Sequence, residues 1–360
     1  MTLRDFQECV EFNIMHNIKH AVLGLGAPGV GKSQVVRQIA DKFGYTLIDL
    51  RLAQMSEVEI GGLIYPNEER TKTRWLSPEV LPDEERDGPN TILLLDEITS
   101  CPKRVQVAAY QLILDRRVGQ YRLPEGTFVI GLGNREDDDG VYIHLAGPLA
   151  DRFEIHYIDI DFNSWKYDFA LPFRVHPYVV DYLSCKPAAL HTQAADPESM
   201  VFATPRSWER VSDILKYDDD LNKPVVCNKI IGNVGMVEGS QFIAFCKEAG
   251  KHVTADDYLE GKAEAPTDPS ELTILINSLV EKVSFLQNIP TIKELSREQT
   301  IELQDIIHAM LGLGSSEATI LGLRNLLEVN RTVVRDIFVV MNDPDIDEFL
   351  EKNKALMFVK

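Results

Sequence analysis

The sequence predicts an α/β protein, with a five-stranded parallel sheet in the first half of the chain and a helical second half. Between residues 20 and 160, strand-like and helix-like segments alternate, which is typical of a parallel sheet whose strands are joined by helices. Several strand segments are continuous apolar runs, as expected for strands covered on both faces. The predicted strands are 21–25, 46–50, 91–95, 127–132 and 154–158.

The second half of the chain follows a helical pattern. Apolar residues recur at helical spacing from about residue 165 to 250, and Thr204-Pro205 is a helix start signal. Residues 261–270 are rich in turn formers and predict a linker, and amphipathic helices are expected at 271–286, 297–311, 317–328 and 332–340. We therefore expect an α/β domain at 1–162, a helical domain at 163–260 and a C-terminal helical extension at 271–360.

The composition is typical of a globular protein outside the membrane, with 44% hydrophobic and 26% charged residues. No apolar stretch approaches the length of a membrane span and no signal-peptide pattern opens the chain, so we expect a cytoplasmic protein without membrane insertion. The five cysteines are scattered without CxxC spacing, which favours free thiols over disulfides or a zinc site. The net charge of −19 disfavours nucleic-acid partners, although acidity also serves solubility.

A glycine-rich loop follows the first predicted strand and precedes a helical pattern at 34–43. The spacing Gly26-x4-Gly31-Lys32-Ser33 is that of a phosphate-binding loop, in which backbone N–H groups surround an anion at a helix N-terminus. Lys32 would reach the β- and γ-phosphates, and Ser33 would complete a Mg²⁺ shell. A plain strand-to-helix turn would explain the glycines alone. The predicted nucleotide-binding residues are Gly26, Ala27, Pro28, Gly29, Val30, Gly31, Lys32, Ser33 and Gln34.

Two carboxylates, Asp96 and Glu97, end the apolar segment 91–95. Ligands of parallel α/β sheets lie outside the carboxyl ends of the strands, so both side chains are expected beside the phosphates. Asp96 is predicted to hold Mg²⁺ together with Ser33, and Glu97 to polarise an attacking water as general base. The alternative is an acidic pair that opens a helix and complements its dipole.

Asn134 and two arginines extend the candidate site. Asn134 ends the strand segment 127–132 and could orient a water or contact the γ-phosphate, or serve as a turn residue. Arg152 follows a short helical stretch, where a cation suits the helix dipole, but it could also project into a neighbouring subunit. Arg206 is expected in the first turn of a helix capped by Thr204, where a cation faces the positive end of the dipole. A solvated arginine could tolerate this cost, whereas a nearby phosphate would make the position favourable.

The order of the motifs along the chain resembles that of the AAA+ ATPases: the glycine loop comes first, followed by Asp96-Glu97, Asn134, Arg152 and Arg206. The finer resemblance is to the MoxR branch, which includes activators of Rubisco and of nitric-oxide reductase. Segments 51–63, 96–106, 131–134 and 204–208 carry it, and it covers roughly residues 15–250. The resemblance implies that Asn134 is sensor 1, that Arg152 is a finger acting in trans and that Arg206 is sensor 2.

The resemblance also implies a function. Residues 1–162 would form the nucleotide-binding domain and 163–260 its helical lid, with ATP and Mg²⁺ at the subunit interfaces of a hexameric ring. Hydrolysis would remodel a protein client, as in a chaperone, and members of this branch often act with a partner bearing a von Willebrand factor A domain. Two alternatives stay open at this point: a DNA-acting motor, and a scaffold whose assembly is gated by nucleotide.

Overall fold

The computed structural model describes residues 1–138, 142–145, 147–192, 201–249 and 253–357. The chain divides into two compact units, unit 1 at Met1–Asp161 and unit 2 at Phe162–Lys360. The expected separation of a lid at 163–260 from an extension at 271–360 stays a prediction. None of the described helices is long and apolar enough to cross a membrane.

Unit 1 contains a parallel sheet with two small antiparallel hairpins. Its strands are β1 (Ala21–Gly26), β2 (Thr46–Arg51), β3 (Leu63–Pro66), β4 (Thr73–Leu76), β5 (Thr91–Asp96), β6 (Arg117–Val118), β7 (Tyr121–Arg122), β8 (Phe128–Gly133) and β9 (Phe153–Ile158). Its helices are α1 (Leu3–Met15), α2 (Lys32–Phe43), α3 (Glu57–Gly61), α4 (Glu84–Asp87), α5 (Lys103–Asp115) and α6 (Gly147–Ala150).

The parallel sheet has five strands in the order β2-β5-β8-β1-β9. Each predicted strand is present, with its ends shifted by no more than one residue, so the predicted fold class is confirmed. The chain passes from β1 to the far edge at β2, and later from β8 across β1 to β9. Connections that leave β1 and β8 therefore run in opposite directions, which creates a ligand crevice between the carboxyl ends of these two strands.

Helices cover both faces of the sheet, and this explains why its strands are apolar throughout. On one face, α1 and α2 pack Phe6, Val36 and Ile39 against Val22 and Ile130. On the other face, α5 packs Val105, Ala109 and Leu112 against Leu23 and Leu93. Each large aliphatic side chain buried in this way stabilises the fold by about 1.5–3 kcal/mol. The two layers hold the carboxyl edge of the sheet in a fixed geometry.

Several short elements of unit 1 were not expected, and neither were helix α1 and the hairpin β3–β4. Helix α1 begins with a capping box in which the Thr2 side chain accepts from the Asp5 N–H and the Asp5 side chain accepts from the Thr2 N–H. The hairpin β3–β4 is held by Trp75, whose indole Nε1 donates to the Gly61 carbonyl (2.5 Å). Short strands in a polar stretch give little periodicity, so only the capping box was a readable signal.

Unit 2 is helical where the structure describes it. Its helices are α7 (Phe162–Ser164), α8 (Pro177–Cys185), α9 (Pro205–Tyr217), α10 (Pro224–Val234), α11 (Met236–Ala249), α12 (Ala255–Leu259), α13 (Pro269–Lys282), α14 (Arg297–Leu311), α15 (Ser316–Val329), α16 (Arg331–Met341) and α17 (Pro344–Met357). A π-helical turn at Trp165–Ala170 follows α7. Helices α13 to α16 correspond to the four amphipathic segments predicted beyond residue 270.

The helices after the predicted linker pack on those before it. Helix α13 contacts α8, and Asn277 of α13 donates through Nδ2 to Asp181 Oδ1 of α8 (2.9 Å). The buried Lys166 Nζ donates to Asn277 Oδ1 (2.6 Å). Burial raises the pKa of Asp181 to about 7, against the opposing effects of Asn277 and Lys166. This polar network joins residues 166, 181 and 277 inside one unit.

Candidate functional site

The glycine-rich loop joins β1 to α2 at the crevice between β1 and β8. Gly29 and Gly31 have φ angles of +78° and +106°, a region that non-glycine residues rarely adopt. Gly31 is the N-cap of α2, and the first N–H groups of an α-helix have no partner within the helix. The loop and helix start therefore present backbone donors and the positive end of a dipole, which suit an anion.

Lys32 and Ser33 are the first residues of α2, and both contact other parts of the crevice. The buried Lys32 Nζ donates to the carbonyls of Gly26 (2.5 Å) and Ala27 (2.9 Å) and lies 3.4 Å from Asn134 Oδ1. Ser33 Oγ donates to Asp96 Oδ2 (2.7 Å). The structure thus brings together residues from the ends of β1, β5 and β8 that the sequence predicted as one site.

Glu97 follows Asp96 with an unusual backbone conformation. Its φ is +58°, and a left-handed conformation costs a non-glycine residue about 1–2 kcal/mol. The Glu97 N–H donates to Asp96 Oδ1 (2.9 Å), and Ile98 N–H donates to the Leu132 carbonyl (2.9 Å). This turn buries Ile98 in the core while the Glu97 side chain stays exposed at the carboxyl edge.

Thr99 fixes the backbone of Asn134, a contact that the sequence gave no reason to expect. The fully buried Thr99 Oγ1 accepts from the Asn134 N–H (2.8 Å) and donates to the Asn134 carbonyl (3.1 Å). A Cβ on Gly133 would lie 2.6 Å from Thr99 Oγ1, so the close approach requires glycine there. The acidic turn after β5 and the amide after β8 are therefore held as one piece.

Asp49 adds a second carboxylate near Asp96. It lies on β2, the strand that pairs with β5, and Arg37 Nη2 of α2 is 3.7 Å from its Oδ2. Its Oδ1 is buried without a hydrogen-bond partner among the described residues. Burial raises the pKa of Asp49, and the charge of Asp96 raises it further, whereas Arg51 and Arg37 lower it. An aspartate within the strand segment 46–50 was the available signal.

The two predicted arginines lie on other elements of the chain. Arg152 is exposed, precedes the first residue of β9 and pairs with Asp151 (Nη1 to Oδ2, 3.2 Å). Because β9 is parallel to β1, Arg152 lies at the edge of the sheet opposite the glycine loop. Arg206 is the exposed second residue of α9 in unit 2, with Thr204 as N-cap and Pro205 first in the helix, as predicted. The nucleotide-related roles of both arginines stay predictions.

The residues present fit a nucleoside triphosphate with a divalent cation. Lys32 supplies a cation within the glycine loop, and its contacts to two carbonyls show that the loop encloses a positive group. Ser33 and Asp96 place a hydroxyl and a carboxylate oxygen 2.7 Å apart, and such oxygen donors are the ligands that Mg²⁺ takes.

A comparison with known protein families agrees with this geometry. Residues 21–150 match the AAA domain of the dynein-related subfamily, so this part of the chain is an AAA domain. Among proteins of curated function, none matches the chain. A solved structure of a "putative ATPase" from Cytophaga hutchinsonii is similar over 97% of this chain and 89% of its own, at 14% identity and a TM-score of 0.32. A similarity this low carries no conclusion about the chain.

Proposed function

We propose, starting from the AAA domain at residues 21–150, that the chain is a Mg²⁺-dependent ATPase of the MoxR type. It would hydrolyse ATP at the subunit interfaces of a hexameric ring and use the energy to remodel a protein client. The observation that carries the proposal lies at one edge of the sheet, where Lys32 contacts Asn134 and the adjacent Ser33 contacts Asp96.

Lys32, Ser33 and Asp96 would bind the triphosphate. The Lys32 ammonium is buried and lies between the loop carbonyls and Asn134, so a phosphate oxygen would replace carbonyl acceptors with a charged one. Ser33 and Asp96 would hold Mg²⁺, which neutralises charge on the phosphate oxygens when bound. Asp49 would add negative charge beside Asp96, which favours a cation at this edge.

Glu97 and Asn134 would act on the attacking water. The left-handed turn at Glu97 directs the chain so that this carboxylate remains exposed at the edge, where it can accept a proton. Asn134 Oδ1 lies 3.4 Å from Lys32 Nζ, so a phosphate held by Lys32 would also be within reach of the amide. Thr99 would keep the Asn134 backbone in place through both of its hydrogen bonds.

The ring assignment depends on the place of Arg152. This side chain is exposed and lies at the sheet edge opposite the phosphate loop of its own chain, about one strand length or roughly 17 Å away. A role in phosphoryl transfer therefore requires a second copy of the chain, in which Arg152 would stabilise charge that develops on the transferred group.

The remaining parts of the proposal concern the response to hydrolysis. Arg206 lies in the first turn of α9, where a phosphate partner is favourable, and the loss of that phosphate on hydrolysis would change the interactions of Arg206.

A client protein, and a partner with a von Willebrand factor A domain, are the macromolecules that the MoxR resemblance implies. The net charge of −19 favours these over a DNA substrate.

The test is the mass of the Glu97→Gln variant in solution, measured by light scattering with and without Mg·ATP. We expect a ring of six copies with Mg·ATP and smaller species without it, because the variant retains ATP. Lys32→Ala is the matched control that should not assemble. Arg152→Ala should assemble but lose turnover.

A Glu97→Gln variant that stays monomeric with saturating ATP, together with wild-type turnover that does not depend on protein concentration, would refute the interfacial site. Turnover that persists in Arg152→Ala would refute the trans role of this arginine. Full biological activity of Glu97→Gln would favour the nucleotide-gated scaffold instead.

A further inference from the structure

Arg135 directly follows Asn134, and its side chain extends toward the end of strand β9. The guanidinium Nη2 donates to the Ile158 carbonyl and to Asp159 Oδ1 (2.7 Å). The Arg135 N–H donates to Asp138 Oδ2 (2.7 Å), which closes a turn and fixes the backbone behind the guanidinium. Arg135 therefore joins the loop after β8 to the loop after β9.

The same contact reaches the base of the phosphate loop. Gly26 pairs with Ile158 in the register of β1 and β9, and a Cβ on Gly26 would lie 2.7 Å from the Ile158 carbonyl oxygen. The first glycine of the loop thus packs on the carbonyl that accepts from Arg135. The guanidinium therefore joins the chain at the ends of β8 and β9, and the Ile158 carbonyl links it to the first glycine of the loop after β1.

Asp159, the second acceptor of the Arg135 guanidinium, lies near the end of unit 1. It lies two residues before the end of unit 1, and the Met1 amino group also donates to its Oδ2 (3.1 Å). The hydrogen bonds from Arg135 and from the Met1 amino group lower the pKa of Asp159. Because the carboxylate has a second cationic partner, replacing Arg135 leaves it paired and limits the structural damage.

We propose that Arg135 is a positioning residue that holds Asn134 in register with the phosphate loop and transmits a change at Asn134 to the segment around Asp159. The proposal rests on the proposed ATPase function. The hydrogen bonds described for Lys32, Ser33 and Asp96 go to groups other than the Arg135 side chain, so nucleotide binding should survive the replacement of Arg135. Hydrolysis should be slower, because Thr99 would still hold the Asn134 backbone but the support from the Arg135 side chain would be lost.

The experiment compares kcat, KM and the equilibrium affinity for a fluorescent ATP analogue in wild type, Arg135→Gln and Arg135→Lys. We expect Arg135→Gln to lower kcat about tenfold, the scale of one charge-assisted hydrogen bond, with affinity within about threefold of wild type. Arg135→Lys should recover part of the loss, because an ammonium can reach one of the two acceptors.

The matched control is Lys42→Met, which removes an ion pair to Glu11 (2.7 Å) near the far end of α2, about 15 Å from Lys32. It should leave kcat unchanged. Should Arg135→Gln fail to fold, Asp159→Asn keeps the arginine and its bond to Ile158, and about a threefold loss of kcat is expected. A normal kcat in these variants, or a loss of affinity as large as the loss of kcat, overturns the proposal.

Hydrogen exchange at residues 157–161 provides a readout that altered stability alone would not produce. In wild type, exchange at this segment should differ between the ADP complex and the complex with a non-hydrolysable ATP analogue, and Arg135→Gln should abolish that difference. A difference that persists in the variant overturns the transmission role. If wild type binds no ATP or does not turn it over, the proposed function itself fails, which separates the two failures.

Discussion

Replacing Thr99 by Val tests whether the Asn134 backbone is held for catalysis. Val has the same number of heavy atoms as Thr, so the tight packing against Gly133 is kept while the hydroxyl is removed. Two hydrogen bonds to Asn134 are lost, at about 0.5–1.5 kcal/mol each, so the free energy of unfolding should fall by about 1–3 kcal/mol. We also expect kcat to fall about tenfold, since Asn134 would no longer be fixed beside Lys32.

The control for this prediction lies at the other end of the same strands. Thr91 Oγ1 and Thr127 Oγ1 form a fully buried hydroxyl pair (2.7 Å) where β5 begins and just before β8. Thr91→Val should therefore destabilise the protein by a similar amount, about 1–2 kcal/mol, at roughly 17 Å from the site. Urea unfolding and steady-state ATP hydrolysis measure both effects.

The two variants separate stability from catalysis. We expect both to lower the unfolding midpoint and Thr99→Val alone to lower kcat. Equal losses of kcat in the two variants would refute the reasoning, because a general loosening of unit 1 would then explain the effect. Unchanged stability in Thr99→Val would show that the two bonds to Asn134 contribute nothing to the fold.

Two further predictions follow from close contacts and from a buried carboxyl. Gly26→Ala should weaken nucleotide binding and destabilise the protein by about 1–3 kcal/mol, because its Cβ would lie 2.7 Å from the Ile158 carbonyl oxygen; Gly232→Ala, with open space around its Cβ, is the control. Asp181→Asn should flatten the pH dependence of stability between pH 4 and 7. In the folded wild type Asp181 keeps its proton up to about pH 7, whereas in the unfolded chain it loses the proton near pH 4. The free energy of unfolding therefore falls as pH rises between these values, by at most about 1.4 kcal/mol per pH unit. Thermal unfolding at pH 5 and 7 checks this, and an equal pH dependence in wild type and variant would contradict it.

Much of unit 1 could be predicted because its signals are local. The apolar runs at 21–25 and 91–95 mark buried strands, and the polar residues that end them fall at the carboxyl edge once the strands are parallel. The contacts of Lys32 with Asn134 and of Ser33 with Asp96 follow from that edge. The local apolar pattern and the parallel topology together were sufficient to predict the strands and the residues at their carboxyl edge.

The contacts that could not be predicted depend on register between distant segments. Thr99 meets Asn134, and Arg135 meets Ile158, only because β5, β8, β1 and β9 pair in one register. Trp75 packs against Gly62, which directly precedes the unexpected hairpin, and against Gly119, which is far from it in the sequence. A single sequence contains no periodic signal for such pairs.

The activity that we propose for the edge formed by Lys32, Asp96, Glu97 and Asn134 is the hydrolysis of ATP. The most direct measurement is ATP turnover by wild type and Glu97→Gln, with and without Mg²⁺, alongside the affinity of each for ATP. We predict Mg²⁺-dependent turnover in wild type and, in Glu97→Gln, unchanged affinity with turnover lowered about 10²- to 10⁴-fold, the usual contribution of a general base. Turnover by Glu97→Gln at the wild-type rate would contradict the account.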